Sequence, residues 1–150
     1  MGKTDRDHAD VVLHLQMIQR VIERMAENSV RAKQWALITM VAFLTVFGAL
    51  DLNAPVENPD AAASLFLAPL MIWLGFYLID TYYIYLERSY RAKFDSIREL
   101  KNTNFEMDFQ QNWREVFFAL LSWPNMVFYY LLGFTYLAAF FMFVRFGATK

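Results

Sequence analysis

The chain has 150 residues, of which 57% are hydrophobic and 18% aromatic, and its formal net charge is -1. This apolar content, with only 5 Gly and 4 Pro, is more than a small soluble domain can bury, and it is typical of a helical bundle in lipid. The absence of Cys excludes disulfides, thiol catalysis and zinc-thiolate sites.

The first 33 residues predict a cytoplasmic amphipathic helix. No Gly or Pro interrupts the chain from His8 to Lys33, and apolar residues recur there at spacings of 4-3-4-3, as in the seam of a coiled coil. The pattern predicts either an oligomer seam or packing against the chain's own second cytoplasmic helix. Because no Gly or Pro separates this helix from the first apolar stretch, we expect one rod from about His8 to Leu50. The seam residues are Val11, Leu15, Ile18, Ile22 and Met25.

Three apolar stretches predict an all-α integral membrane protein with about three transmembrane helices, the first continuous with the N-terminal helix. They run from Trp35 to Leu50, from Leu65 to Leu86 and from Pro124 to Val144, without any Lys or Arg. Each is long enough to cross, or nearly cross, a hydrocarbon core about 30 Å thick. For the third stretch, a segment that enters the membrane and returns is the alternative. The expected boundaries are 1–33 for the cytoplasmic helix, 34–51, 65–87 and 124–145 for the transmembrane helices, 52–64 for an outer loop, and 88–123 for cytoplasmic and interfacial helices.

Charge and aromatic patterns orient these stretches. Six of the 14 Lys and Arg precede the first stretch and six lie between the second and third, whereas the loop at 51–64 has three acidic residues and no basic one. By the positive-inside rule, the N-terminus is cytoplasmic and this loop lies outside. The second helix is expected to end near Leu100. Alternating acidic and aromatic residues from Phe105 to Ser122 then predict a helix at the inner interface, before Pro124 opens the last stretch.

Few residues of this chain are candidates for a functional site, and Asp80 is the main one. A carboxylate within an apolar stretch costs on the order of 3 kcal/mol on insertion scales, so it must face protein or water. One interpretation is a cation-attracting residue on a pore wall or a proton-coupled gate, because Glu87 lies near the same helix face as Asp80. The first stretch is the alternative lining of such a pore. The alternative is a structural carboxylate that a tyrosine hydroxyl, or an Arg or Lys at the membrane surface, satisfies. The predicted pore-lining residues are Asp80, Tyr83, Glu87 and Trp73.

Basic residues on the two cytoplasmic helices form a second candidate site. Packed side by side and repeated around an oligomer, they would make a cationic surface that holds phosphates. The alternative is that they anchor the topology and pair with neighbouring acidic residues or lipid headgroups. The predicted ligand-binding residues are Arg20, Arg24, Arg31, Lys33, Arg88, Arg91, Lys93 and Arg98.

Enzymatic patterns are absent from the sequence. There is no phosphate-binding loop and no Ser-His-Asp arrangement. His8 and His14 stand six residues apart, which puts them on different helix faces rather than at the spacing of metal ligands. We therefore expect neither an enzyme nor a cofactor or metal site.

Residues at the two cytoplasmic junctions resemble those of SLATT-type effectors, small transmembrane proteins of bacterial anti-phage defence. The residues that carry the resemblance are Arg24 to Ser29, Lys33 to Trp35, Trp73, Asp80 to Tyr83, Glu87, Arg88, Tyr90, Arg91 and Asp95. Such effectors oligomerise and breach the inner membrane when a nucleotide or oligonucleotide signal changes, as in the Hailong system, and they accompany nucleotidyltransferases. SLATT proteins are usually described with two spans, so the third apolar stretch is a departure from their pattern.

The resemblance and the layout together predict an oligomeric pore-forming effector in the bacterial inner (plasma) membrane. We expect a homo-oligomer, with a tetramer favoured, whose cytoplasmic helices bind a nucleotide or nucleic-acid ligand and gate the pore. Opening would depolarise the cell and abort infection, and a nucleotidyltransferase would be the partner that supplies the ligand. The alternative function is a non-conducting membrane adaptor that recruits a soluble partner through its coiled-coil helix.

Overall fold

The computed structural model describes residues 3–49, 59–99, 103–108 and 112–147. These residues form four helices and no strand, which confirms the all-α prediction for this part of the chain. The helices are α1 at Lys3–Ala49, α2 at Pro59–Arg98, α3 at Trp113–Leu120 and α4 at Trp123–Gly147.

The two longest helices, α1 and α2, form an antiparallel hairpin. α1 is one helix of 47 residues, so the predicted rod is confirmed over the described residues, and α2 has 40 residues. Early in α1, Ile18 packs with Ile97 near the end of α2, whereas later in α1 Ala36 packs in one cluster with Trp73. We call residues 3–33 of α1 and 87–98 of α2 the polar half. The apolar half comprises residues 34–49 of α1, residues 59–86 of α2, and α4.

The last helix, α4, packs against the apolar half of the hairpin and runs antiparallel to α2. Asn125 contacts Thr81, and Tyr129 contacts the backbone of Phe76, so residue numbers rise along α4 as they fall along α2. α4 therefore points in the same direction as α1. The buried core shared by these helices contains Ala36, Met40, Tyr129, Leu132 and Tyr136.

The predicted interfacial helix is shorter than expected. Residues 103–108 are not helical, and Phe105 has a φ of 57°, a left-handed conformation that interrupts a right-handed helix. α3 begins only after Asn112, whose side chain accepts a hydrogen bond from the backbone N–H of Arg114 at 3.0 Å. The prediction of a helix from Phe105 onward is therefore wrong for its first part, because it overlooked Asn112 as a helix cap.

Two helices contain a segment that is long and apolar enough to cross a membrane. These segments are Leu67–Arg98 in α2 and Trp123–Met142 in α4, and the described part of α1 contains no such segment. Helix length and composition thus give two candidate spans rather than the expected three. Of the predicted outer loop at 52–64, residues 52–58 lie outside the described residues, and residues 59–64 belong to α2.

Candidate functional site

The coiled-coil seam of α1 packs against α2 of the same protomer. Ile18 is fully buried and Val11 is 5% exposed, and both form one apolar cluster with Ile97. Leu15 and Ile22 lie against this cluster, and Met25 is half-buried. Val11 and Ile18 therefore have no free surface for a second copy, and the seam holds the hairpin together instead.

Farther along the same face of α1, the buried residues change from apolar to polar at the junction of the two halves. The hydroxyl of Ser29 donates a hydrogen bond of 2.5 Å to Oδ1 of Asp80. The ammonium of Lys33 lies 2.5 Å from Oδ2 of Asp80, and it donates to Oγ of Ser29 at 3.0 Å. Because Ser29 and Lys33 are four residues apart, one face of α1 presents both to α2. We call these three residues the Asp80 cluster.

The Asp80 carboxylate is fully buried, whereas the Lys33 side chain keeps 23% of its surface exposed. The contact between Lys33 and Oδ2 is an ion pair without hydrogen-bond geometry, since Oδ2 has no hydrogen-bond partner. Removing one member of such a buried pair typically costs about 3–5 kcal/mol, because the other charge is left without compensation. The Asp80 cluster therefore clamps α1 to α2 near the start of the apolar half.

A second buried polar contact joins α2 to α4. The amide of Asn125 donates to Oγ1 of Thr81 at 3.0 Å, and this hydroxyl donates to the backbone oxygen of Tyr77 at 2.8 Å. The hydroxyl of Tyr129 donates to the backbone oxygen of Phe76 at 3.2 Å and also lies close to the Asp80 carboxylate. All three helices of the apolar half thus meet around buried polar groups.

The four predicted pore-lining residues do not share one surface of the protomer. Asp80 contacts Ser29 and Lys33 between α1 and α2, so it can line a pore only if these two helices separate there. Trp73 donates to the backbone oxygen of Tyr129 at 3.1 Å, between α2 and α4. Glu87 pairs with Arg91 one turn later on α2, and Tyr83 is half-buried. A common role for these four residues in a pore wall stays a prediction.

The eight predicted phosphate ligands are dispersed. Lys33 belongs to the Asp80 cluster, Arg31 pairs with Glu27, and Arg91 pairs with Glu87. Lys93 donates to the backbone oxygen of Asp108 at 3.1 Å, and Arg88 donates to that of Phe118 at 3.4 Å. The remaining three, Arg20, Arg24 and Arg98, are exposed.

A cleft of about 480 Å³ between α1 and α2 lies among these basic residues. Its charged lining consists of Arg91 and the carboxylates of Glu23 and Asp95, so its charge does not favour a phosphate. The two predicted cytoplasmic segments are also balanced in charge, with twelve basic and eleven acidic residues in 1–33 and 87–115. Pairing within the protein therefore accounts for several of these basic residues.

At the far end of the polar half, His14 ties α1 to the segment before α3. The ring is buried, its Nδ1 lies 2.5 Å from Oγ1 of Thr103, and it contacts the ring of Phe105. Nε2 lacks a hydrogen bond of ordinary geometry, although the backbone of Glu106 lies near the ring. Burial and the nearby ammonium of Lys93 lower the pKa of His14 below its usual 6.5, and the Glu106 backbone offsets part of this shift.

Comparison with protein families, characterised proteins and solved structures gave no match. The resemblance to SLATT-type effectors therefore stays a hypothesis that rests on the junction residues alone.

The sequence predictions place Asp80 and Lys33 in separate sites, although the alternative for Asp80, a structural carboxylate that an Arg or Lys satisfies, agrees with its ion pair to Lys33. They overlooked Asn125 and Thr81. A signal for the latter two was available, because each is a polar residue within an apolar stretch and needs a partner in protein. The sequence alone does not predict that Lys33 is the partner of Asp80, because the pairing depends on the register of the hairpin.

Proposed function

We propose that this protein is an integral membrane protein whose three long helices all cross the bilayer. The support is the exposed surface of the apolar half, where large apolar side chains point outward. Large exposed apolar surfaces mark contact with lipid or protein. The residues with more than half of their surface exposed include Ile38, Met71, Leu78, Leu131, Phe134 and Phe141.

Helix directions support three crossings. α1 and α4 point one way and α2 the other, so with a cytoplasmic N-terminus α1 passes outward, α2 inward and α4 outward again. α4 is a continuous helix of 25 residues, about 37 Å long at 1.5 Å per residue, whereas a segment that enters and returns needs a break. The apolar part of α1 is short, and a slightly thinned bilayer accommodates it.

In the membrane, the protein acts as an oligomeric pore-forming effector, and the conformation of this structure is its closed state. The centre of the protomer is filled, since Met40, Tyr129 and Tyr136 are fully buried. A conduction path therefore requires either a second copy or the separation of α1 from α2. The observation that carries the proposal is the Asp80 cluster, which joins two helices that each continue from the polar half into the apolar half.

The Asp80 cluster is the latch of the proposed pore. A shift of α1 along α2 in the polar half must either carry the apolar part of α1 with it or break the contact of Lys33 with Asp80. Breaking that contact exposes a carboxylate in the apolar half, which attracts water and cations. Closed and open states thus differ in whether the carboxylate faces Lys33 or water.

Ion flux through proteoliposomes tests this proposal. The measurement is potassium release by purified protein, compared among the wild type, Lys33→Met and the control Glu23→Gln, an exposed charge on α1. We expect Lys33→Met to release potassium about tenfold faster than either of the others, because the Asp80 carboxylate loses its cation and can face water. Equal, background release by all three proteins, each correctly inserted, would refute the latch.

A non-conducting adaptor is the second candidate function. The seam packs within the protomer, and beside it Leu13 and Met17 remain exposed by 49% and 42% one turn apart on α1. The adaptor hypothesis predicts no flux in any variant and a phenotype from Leu13→Ser in cells. The pore hypothesis predicts that Leu13→Ser leaves flux unchanged.

Ligand control of the pore, by a nucleotide or oligonucleotide that a nucleotidyltransferase supplies, is also a proposal. Its support is limited to the exposed guanidiniums of Arg20 and Arg24 on α1 and of Arg98 on α2. A phosphate-bearing ligand across the two helices would resist their separation and keep the pore closed. Binding of oligonucleotides to Arg20→Gln with Arg24→Gln, measured against salt concentration, should show a shallower slope than wild type.

A further inference from the structure

The short helix α3 turns its apolar side outward. Trp113, Phe117 and Leu121 follow one another at intervals of four residues and are 74%, 60% and 44% exposed. The opposite side carries Ala119, which is fully buried, and the backbone oxygen of Leu120 contacts α2. In water this orientation would be unfavourable, since the apolar residues would face the solvent.

Hydrogen bonds to α2 hold α3 in this orientation. The hydroxyl of Tyr77 donates to the backbone oxygen of Leu120 at 2.7 Å. The guanidinium of Arg88 donates to that of Phe118 at 3.4 Å, and the hydroxyl of Tyr85 accepts from the backbone N–H of Asn112 at 3.2 Å. Contacts at both ends and in the middle therefore fix which side of α3 faces outward.

The outward side of α3 continues into the apolar surface of the protein. α4 begins two residues after Leu121, and its first residue, Trp123, is 78% exposed. Two exposed basic side chains accompany this aromatic surface, those of Arg88 and Arg114. Aromatic side chains next to basic ones are typical of the headgroup layer of a bilayer, where the rings lie between tails and water.

We propose that α3 lies in the cytoplasmic headgroup layer and that Arg88 and Arg114 bind the phosphates of anionic phospholipids. The inference rests on the proposed membrane integration and adds a lipid-binding site to it. A second copy of α3 is a poorer occupant, because a symmetric contact would bring the same guanidiniums close to one another. Since α3 is bonded to Tyr77 and Tyr85, lipid binding there also bears on the position of α2.

Spin labels test the position of α3, because the chain has no native Cys. Full-length protein in nanodiscs carries one nitroxide at Phe117→Cys, with Phe134→Cys as the lipid control and Arg24→Cys as the water control. We expect the Phe117 label to be more accessible to oxygen than to a water-soluble nickel complex, at a depth between those of the controls. A label at 117 that faces water while that at 134 faces lipid overturns the α3 inference alone. If the labels at both positions face water, membrane integration is overturned as well. Spin-spin broadening at position 117 would mean that a second copy of the chain, rather than lipid, covers α3.

Lipid selectivity tests the two arginines. The measurement is the association of spin-labelled phosphatidylglycerol, relative to phosphatidylcholine, with the unlabelled protein. We expect Arg88→Gln with Arg114→Gln to lower the relative association constant about fivefold for each charge removed. The matched control, Arg20→Gln with Arg24→Gln, removes two exposed charges from the polar half and should leave the constant unchanged. Equal selectivity of both double variants and the wild type would overturn the assignment of Arg88 and Arg114.

Discussion

The two halves of the hairpin are built with opposite polarity. In the polar half, apolar residues such as Ile18 and Ile97 fill the contact between α1 and α2, and the charged residues lie mostly on the outside, beside a few apolar ones. In the apolar half, the contacts between helices include Asp80, Thr81 and Asn125, which are buried, and large apolar side chains cover the outside. Under the proposed membrane integration the two halves lie in different solvents, and this accounts for the difference. Water drives apolar groups together, whereas in lipid polar groups gain from meeting one another.

The largest expected effect is at the Asp80 cluster, where the two halves meet. Lys33→Met leaves the Asp80 carboxylate without its cation and should lower the free energy of unfolding by about 3–5 kcal/mol. Adding Asp80→Leu removes the remaining buried charge and should restore most of the lost free energy of unfolding. Unfolding in mixed detergent micelles measures both variants. Additive losses in the double variant would mean that the two side chains stabilise the fold independently.

In the polar half, the corresponding change is Ile18→Ala. It removes a fully buried side chain from the seam and should lower the free energy of unfolding by about 2 kcal/mol or more. The control Leu13→Ala changes a side chain that is 49% exposed and should cost less than 0.5 kcal/mol. Because the seam packs within the protomer, neither variant should change the mass of the assembly. Dissociation by Ile18→Ala alone would show that the seam also joins copies.

Two glycines of the apolar half offer a finer test, because their alanine variants should differ in stability by about 1 kcal/mol. A Cβ on Gly133 would lie 3.3 Å from Cζ2 of Trp73, whereas a Cβ on Gly75 would meet nothing within 4 Å. Trp73 has little freedom to yield, because it donates to Tyr129 and stacks on Tyr77. Gly75→Ala should therefore stabilise its helix, and Gly133→Ala should be less stable than Gly75→Ala by about 1 kcal/mol. Equal stability of the two variants would mean that the Trp73 ring moves aside.

The smallest expected effect is a pH response at His14. Its pKa is lowered in the folded protein by burial and by Lys93, so the unfolded chain binds a proton more readily. The contribution of His14 to stability is therefore complete above pH 6.5 and declines as the pH falls below it. The protection factors of the amides in residues 103–108, which compare each exchange rate with the intrinsic rate at the same pH, should fall between pH 7 and pH 5 in the wild type. In His14→Gln this fall should be absent, and a fall of the same size would assign the response to another group.

How far the sequence predicted this arrangement differs between the halves. Periodicity identified the helices and the seam of α1, because the hydrophobic pattern of a water-facing helix records which side is buried. In α4 nearly all residues are apolar, so the pattern does not show that Tyr129 and Tyr136 face inward. The pairing of Lys33 with Asp80 depends on the hairpin register, which the chain alone does not display.

The central claim is that the contact between Lys33 and Asp80 keeps the pore closed. Exchange of the two charges tests it most directly, by planar-bilayer recording of Lys33→Asp, Asp80→Lys and the two together. We predict that each single variant conducts, since two like charges then face one another, and that the exchanged pair is as silent as the wild type. Conductance of the exchanged pair equal to that of the single variants, or silence of all four proteins, would contradict the claim.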